Sequence, residues 1–303
     1  AVLLISATSC SERETAGTDY TQFVNPLIGT GGHGHTFPGP VVPHGMVQPG
    51  PDTRLDGWDS CSGYYYNDST INGFSHNRLS GTGCCDYGDV LLMPQWRTVY
   101  RNRGTDWAAD ALLFVVFTDD EVAVPGYYSV YLSRYGVRAE LTALAVQLST
   151  ATPIPPHPVE MILDLDYSLQ RQTNRELLIE QVNDSTLRGR SARPTGARPA
   201  CVLLYGLFAS LHLPLVNDTL PFIAEPPPPR MKALLRFAPL AEGEQVMVKT
   251  GLSAVGHGGS PCQRGAGDSR MGLRRGAAGA AAAAVEPRAS RIEVRTADPV
   301  RRQ

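Results

Sequence analysis

Lysine is nearly missing from this chain: Lys232 and Lys249 are the only two, and arginine supplies the rest of its 27 basic residues. The arginines follow no motif, and a GC-rich coding sequence accounts for the bias. An excess of charge is missing too. The formal net charge of -2 gives no electrostatic reason to expect nucleic acid or an anionic membrane as partner. No apolar run reaches the ~18 residues of a membrane-crossing helix, so no transmembrane span is expected. The cysteines, Cys10, Cys61, Cys84, Cys85, Cys201 and Cys262, contain no C-x-x-C pair, which leaves zinc-ribbon and thioredoxin-like readings without support. An adjacent pair such as Cys84-Cys85 rarely closes on itself. In an exported protein Cys61 could pair with either of them; otherwise all three are free thiols.

Glycine (30 residues) and proline (24) are abundant, and 42% of the chain is hydrophobic. That is enough apolar material for a sizeable core, in a chain of many turns and short strands. Apolar and β-branched runs recur from about residue 90 to 255: "DVLLMPQWRTVY", "ALLFVVF", "GYYSVYLS", "VRAELTALAVQL", "VEMILDLDY", "CVLLYGLF", "MKALLRFA" and "QVMVKTGLSAV". Turn residues separate them and several alternate apolar with polar, which predicts an all-β fold of two packed sheets. "GYYSVYLSRYGVRAEL" predicts a hairpin turning near residues 134–136. "EPPPPR" (225–230) predicts an exposed connection. Residues 1–19 read as the remnant of a secretory signal, with Cys10 placed as in a bacterial lipoprotein, followed by a polar spacer. Export to the periplasm or an outer-membrane lipoprotein is the expectation. Residues 256–303, rich in Gly, Ala and Arg, show no strand or helix periodicity and are expected to form a disordered, low-complexity tail.

The polar first third holds the chemistry. "GTGGHGHTFPGP" (29–40) fits the dinucleotide pattern G-x-G-x-x-G at Gly29, Gly31 and Gly34. A dinucleotide loop must open a helix, however, and Pro38, Pro40 and Pro43 resist one. His33 and His35 could reach one metal ion from an extended segment, with His44 and His76 as conceivable further ligands, but no spacing rule unites the four. The remaining reading is a glycine loop stiffened by proline, whose histidines offer donors and acceptors to hydroxyl groups or to the loop itself. "DGWDSCSGYYY" (56–66) adds a tryptophan between carboxylates, and "GFSHNRLSGTGCCDYGD" (73–89) adds a second glycine-rich turn with Ser80 and Thr82. An aromatic face beside carboxylates and hydroxyls suits a sugar, which has apolar C–H faces and a hydroxyl rim. A turn-rich sandwich end packed by aromatics is the alternative.

The ordered set "FVNPLIGTGGHGHTFPG", "PHGMVQPGPDTR", "DGWDSCSGYYYNDSTINGFSH" and "LSGTGCCDYGDVLLMP" resembles the N-terminal domain of glycoside hydrolase family 92, the bacterial α-mannosidases. "VPGYYSVYLSRYGVRAELT", "ILDLDY" and "VKTGLSAV" extend the resemblance thinly to residue 255, so residues 20–255 are expected to be that domain. The resemblance implies a large antiparallel β-sandwich of the galactose-mutarotase-like, or supersandwich, type. It implies an exo-acting enzyme that removes terminal mannose from α-mannosides, including N-glycans, with inversion and with bound Ca2+. Inversion needs an acid carboxyl and a base carboxylate ~6.5–9.5 Å apart. In the family these groups and most calcium ligands come from an (α/α)6 barrel partner domain that follows the sandwich. The sequence shows no such barrel after residue 255, as in a truncated or frame-shifted copy, and the chain alone is expected to be inactive. The residues that match the family pattern, and are expected to contribute to substrate binding, are His33, His35, Trp58, Asp59, Ser62, His76, Ser80, Gly81 and Thr82. Trp58 is the expected apolar wall; His33, Asp59 and His76 are expected to contact hydroxyls or hold the loops. No catalytic or metal-ligating residue is assigned to this chain. Pro40, His44 and Asn77-Arg78 depart from the pattern. A stand-alone carbohydrate-binding β-sandwich is the alternative reading, and a structural sandwich without ligand a third.

Overall fold

The structure is a computed structural model. It describes residues 20–41, 47–54, 56–95, 114–115, 120–133, 136–142, 145–150, 160–165, 167–169, 176–183, 185–192, 200–205, 210–212, 232–237 and 245–253. The described residues form strands joined by turns and two short 3-10 turns, Tyr20–Phe23 and Trp58–Ser60. No helix among them is long and apolar enough to cross a membrane. The predicted signal remnant, the 225–230 connection, His44 and the C-terminal tail lie outside the described residues.

Two large antiparallel sheets make the sandwich. The six-stranded sheet is ordered β1 (Gly50–Asp52), β3 (Gly73–Ser75), β4 (Leu91–Gln95), β10 (Glu160–Asp164), β15 (Lys232–Arg236), β14 (Ser210–His212). The eight-stranded sheet is ordered β11 (Glu176–Asn183), β12 (Thr186–Ala192), β13 (Ala200–Tyr205), β16 (Gln245–Ser253), β9 (Ala145–Thr150), β8 (Val137–Thr142), β7 (Tyr127–Leu132), β6 (Glu121–Val124). A further pair joins β2 (Thr70–Ile71) to β5 (Phe114–Val115).

Alternation decides which face is buried. On β8, Val137, Ala139 and Leu141 are buried while Arg138, Glu140 and Thr142 are partly exposed. On β7, Tyr128, Val130 and Leu132 point into the same core. The predicted hairpin joins these two strands, with Leu132 opposite Val137. Gly136, at φ 62, closes the turn by donating to the Ser133 carbonyl at 3.4 Å. Phe74, Leu92, Met161, Leu163, Ala233 and Leu235 of the six-stranded sheet meet Tyr128, Val130, Leu141, Val246 and Val248 of the eight-stranded sheet in one cluster. Each fully buried side chain of this size stabilises by roughly 1.5–3 kcal/mol, so the cluster is the main force holding the sheets face to face. The polar loops emerge from the β1–β3–β4 end of the six-stranded sheet.

Candidate functional site

Three loops meet at that end. The first, residues 29–39, turns tightly because Thr36 donates its backbone N–H to the Gly29 carbonyl at 3.1 Å. A Cβ on Gly34 would lie 2.1 Å from that same oxygen, so only glycine fits there. The next residue, His35, takes the left-handed conformation at φ 57, which a non-glycine residue holds only when its surroundings impose it. The imposing contacts are visible. Gly81 of the third loop donates to the His35 carbonyl at 2.7 Å, and the His35 ring lies edge-on to Trp58 with centroids 4.2 Å apart.

The second loop begins with the 3-10 turn Trp58–Ser60. Ser60 Oγ donates back to the Asp56 carbonyl at 2.8 Å, and Cys61 N–H closes onto the Trp58 carbonyl at 3.1 Å. Trp58 Nε1 donates to the Gly83 carbonyl at 2.8 Å, which docks the second loop on the third. With its nitrogen satisfied, the indole still exposes 58% of its residue surface. Asp59, the next residue, accepts from His33 Nδ1 at 2.5 Å. His33 is 76% exposed, and its ring centroid lies 5.3 Å from that of Trp58. His35 is 5% exposed; its Nε2 has no hydrogen-bond partner among the described residues and stands 4.0 Å from Asp59 Oδ1. The result is an exposed indole flanked by two imidazoles and a carboxylate.

The third loop, residues 79–88, is pinned at its neck. Asn77 Nδ2 donates to Asp89 Oδ2 at 2.8 Å, Asp89 N–H returns to Asn77 Oδ1 at 2.7 Å, and Arg78 bridges to Tyr87. Ser80, Gly81 and Thr82 are exposed at its tip. Thr82 Oγ1 accepts from Cys84 N–H at 3.3 Å. The adjoining segment is tied to the eight-stranded sheet: Tyr64 and Tyr128 hydroxyls donate to the Glu121 carboxylate at 2.9 and 2.6 Å. Burial raises the Glu121 carboxyl above the ordinary glutamate range.

The structure thus brings together His33, His35, Trp58, Asp59 and the 80–83 tip. Ser62 and His76 lie beneath this surface. Ser62 is buried and donates to the Thr36 carbonyl at 2.9 Å, fastening the first loop to the second. His76 is buried, its Nδ1 bonded to the Val90 carbonyl at 2.7 Å. Burial, with the positive charge of Arg78, pushes its pKa down to about 4, so it is neutral at pH 7. Its ring is thus shut off from the exposed surface and tied to the Val90 carbonyl just before β4.

Arg78 has a role that the sequence does not reveal. Its guanidinium is buried under the three loops, stacked 4.6 Å above the Phe37 ring and 3.2 Å from Asp52 Oδ1. Nη1 donates to the Pro51 and Ser62 carbonyls, each at 3.0 Å. Nη2 donates to the Gly50 carbonyl at 2.6 Å and to Ser75 Oγ at 2.7 Å. The planar fork serves strands β1 and β3 and the second loop at once, which a lysine point charge could not do. Sequence pattern marked this position only as a departure from the family.

No group of three or more His, Cys, Asp or Glu side chains converges as a metal site among the described residues. Calcium favours six to eight oxygen ligands, and the loop cluster offers the carboxylate of Asp59 beside two imidazoles; these residues do not fit that ion.

Residues 23–253 match the model of the glycosyl hydrolase family 92 N-terminal domain. The fold is similar to that of a family GH92 alpha-mannosidase from Bacteroides thetaiotaomicron solved in complex with mannoimidazole, with TM-score 0.73 and 26% identity over 89% of this chain and 37% of that one. A family GH92 inverting mannosidase from Bacteroides thetaiotaomicron VPI-5482 shares the fold at TM-score 0.66 and 20% identity, over 91% of this chain and 37% of that one. A protein of Arthroderma benhamiae described as an uncharacterized secreted glycosidase is 32% identical over 125 residues, 41% of this chain and 16% of its own length. The chain therefore spans well under half the length of each of these relatives.

Proposed function

This chain belongs to glycosyl hydrolase family 92, and from that premise we propose that its three docked loops are the sandwich's share of a mannose-binding site in an inverting, calcium-dependent exo-α-mannosidase acting on α-mannosides and N-glycans. The observation that carries the reading is the exposed indole of Trp58, held by Gly83 and His35 and flanked by His33 and Asp59. A pyranose needs an apolar wall for its C–H face and polar groups around the rim. Trp58 is the wall. Asp59 and His33 Nε2, left free by the Nδ1 bond, address hydroxyls, and Ser80, Gly81 and Thr82 border the site. His35 supports Trp58 from beneath, and Ser62 and His76 hold the loops. The mannosidase relative with bound mannoimidazole supports the substrate class.

Asp59 supplies one carboxylate to this cluster, whereas inversion uses an acid and a base. We assign the acid–base pair and the calcium ligands to a barrel domain outside this sandwich, so the 303-residue chain is expected to bind mannosides without hydrolysing them. Export, to the periplasm or as an outer-membrane lipoprotein, belongs to the same proposal; the relative described as secreted supports export. A stand-alone carbohydrate-binding module is the second reading. It is favoured by the loops being held from within the sandwich, by Arg78, Ser62 and Trp58.

Calorimetric titration of the chain with methyl α-mannoside tests the site. Binding that Trp58→Ala weakens at least tenfold is the expected result. Absence of heat, or unchanged affinity in that variant, would overturn the sugar site. Release of mannose from an α-mannobioside by the same chain would overturn the assignment of catalysis elsewhere.

A further inference from the structure

Cys61 and Cys85 sit where the second and third loops meet. Cys61 is buried and caps the Trp58 turn through its backbone N–H. Cys85 is half-buried and lies two residues after Gly83, whose carbonyl holds the Trp58 indole. The Cys85 side chain is partly buried and acts on the Cys61 thiol, whereas Cys84 is exposed and acts on it more weakly. All three are reduced in this structure.

We propose that Cys61 and Cys85 form a disulfide in an oxidising compartment, and that this bond is a clamp locking the Trp58 turn onto the 80–83 loop. The chemistry is thiol–disulfide exchange with an external disulfide as oxidant. The half-buried Cys85, as thiolate, attacks one sulfur of the external disulfide. That S–S bond breaks, a mixed disulfide forms, and one thiolate leaves. Cys61 then gives up its proton and attacks the Cys85 sulfur of the mixed disulfide, which expels the second thiolate. Two protein thiols are oxidised and one external disulfide is reduced to two thiols. Burial and the neighbouring Cys85 push the Cys61 thiol up to about 11, so it is the poorer first attacker and is suited to the resolving step. The hydrogen bond from Trp58 to Gly83 holds the two backbone segments in register for closure whether or not the bond has formed. Pairing does not depend on the sugar reading; the consequence for Trp58 does.

The test treats the folded chain with oxidised glutathione, alkylates the remaining thiols and maps the peptides by mass spectrometry. A peptide cross-linked through Cys61 and Cys85, with Cys84 alkylated, is expected. Oxidation should raise Tm on the order of 10 °C through the closure entropy of the enclosed segment. Cys85→Ser should lose that rise and Cys84→Ser should keep it; neither variant alters the buried Cys61. Cys61 recovered alkylated, a Cys61–Cys84 link, or glutathione retained on Cys85 would each overturn the pairing. A cross-linked chain with unchanged Tm would overturn the clamp. If the cross-link and the Tm rise appear while methyl α-mannoside still fails to bind, the sugar reading fails and the clamp stands.

Discussion

Replacing Arg78 by leucine removes the one guanidinium that three structural segments share. The loss can be worked from its contacts. Asp52 keeps the Ser75 N–H at 2.9 Å but loses the cation 3.2 Å away while remaining buried. Breaking one side of a buried pair costs about 3–5 kcal/mol. The Gly50, Pro51 and Ser62 carbonyls each lose a charged donor, and partial relaxation leaves roughly 1–2 kcal/mol more in total. Leucine restores some apolar contact with Phe37. The sum is about 4–6 kcal/mol, which for a domain of this size lowers Tm by roughly 10–20 °C. Arg78→Lys keeps the charge without the fork and should fall between the two. Arg54→Leu is the comparison: it breaks a pair with Asp68 that is partly exposed and worth ~1 kcal/mol after screening. Thermal melts followed by circular dichroism at pH 7, with urea titrations for the free energy, read all three. A Tm within about 3 °C of the parent for Arg78→Leu, or equal to that of Arg54→Leu, would refute the reasoning.

Gly83 and Gly81 both adopt positive φ, +66 and +74, but a Cβ on Gly83 would lie 3.2 Å from Trp58 Cζ2, whereas one on Gly81 meets nothing within 4 Å. Alanine at either position should cost ~1–2 kcal/mol of stability from the backbone alone, and only Gly83→Ala should also weaken methyl α-mannoside binding in calorimetry. His76 binds a proton in the unfolded chain near pH 6.5 and in the folded chain only near pH 4, so its contribution is complete above about 6.5 and is lost as pH falls towards 4. The span is worth roughly 3 kcal/mol; the difference between parent and His76→Gln urea midpoints at pH 7 and pH 4.5 should shrink accordingly, and a constant difference would contradict it. Glu121 acts in the opposite sense, because its raised carboxyl favours folding at low pH, and taking the difference between the two proteins cancels it.

The β7–β8 hairpin was legible through β8, where Val137, Ala139 and Leu141 face the core and Arg138, Glu140 and Thr142 do not, although β7 also buries Ser129. The β11–β12 hairpin was not. Ile179 is buried on β11, but Leu178 and Val182 beside it are exposed on an edge strand. On β12, Gly189 and Ser191 occupy buried positions next to Leu187, so the strand buries its inner face without an apolar alternation to announce it. The site divides in the same way. Trp58, Asp59 and the two glycine loops were readable as a set because exposed aromatic and polar residues cluster in sequence. The burial of Ser62 and His76 and the whole role of Arg78 were not, since the hydrogen bonds run largely to backbone carbonyls, joined at Arg78 by the sequence-distant Asp52 and Phe37. Those carbonyls reach Arg78 only when β1, β3 and the second loop are in register.

The strand order of the six-stranded sheet also bears on how a ribosome delivers this protein. Its loop-bearing half, β1, β3 and β4, is synthesised first, but β4 pairs with β10, and β10 with β15, the strand ending at Arg236. Until Glu160–Asp164 emerges, β4 is an open edge, and the loops stand on half a sheet. Assembly must wait for sequence-distant pairing, a slow step that leaves apolar strands accessible to aggregation. The half of this sheet that is made first is therefore among the last parts of it to be secured, and a holding chaperone has its natural target in the β4 edge during that interval.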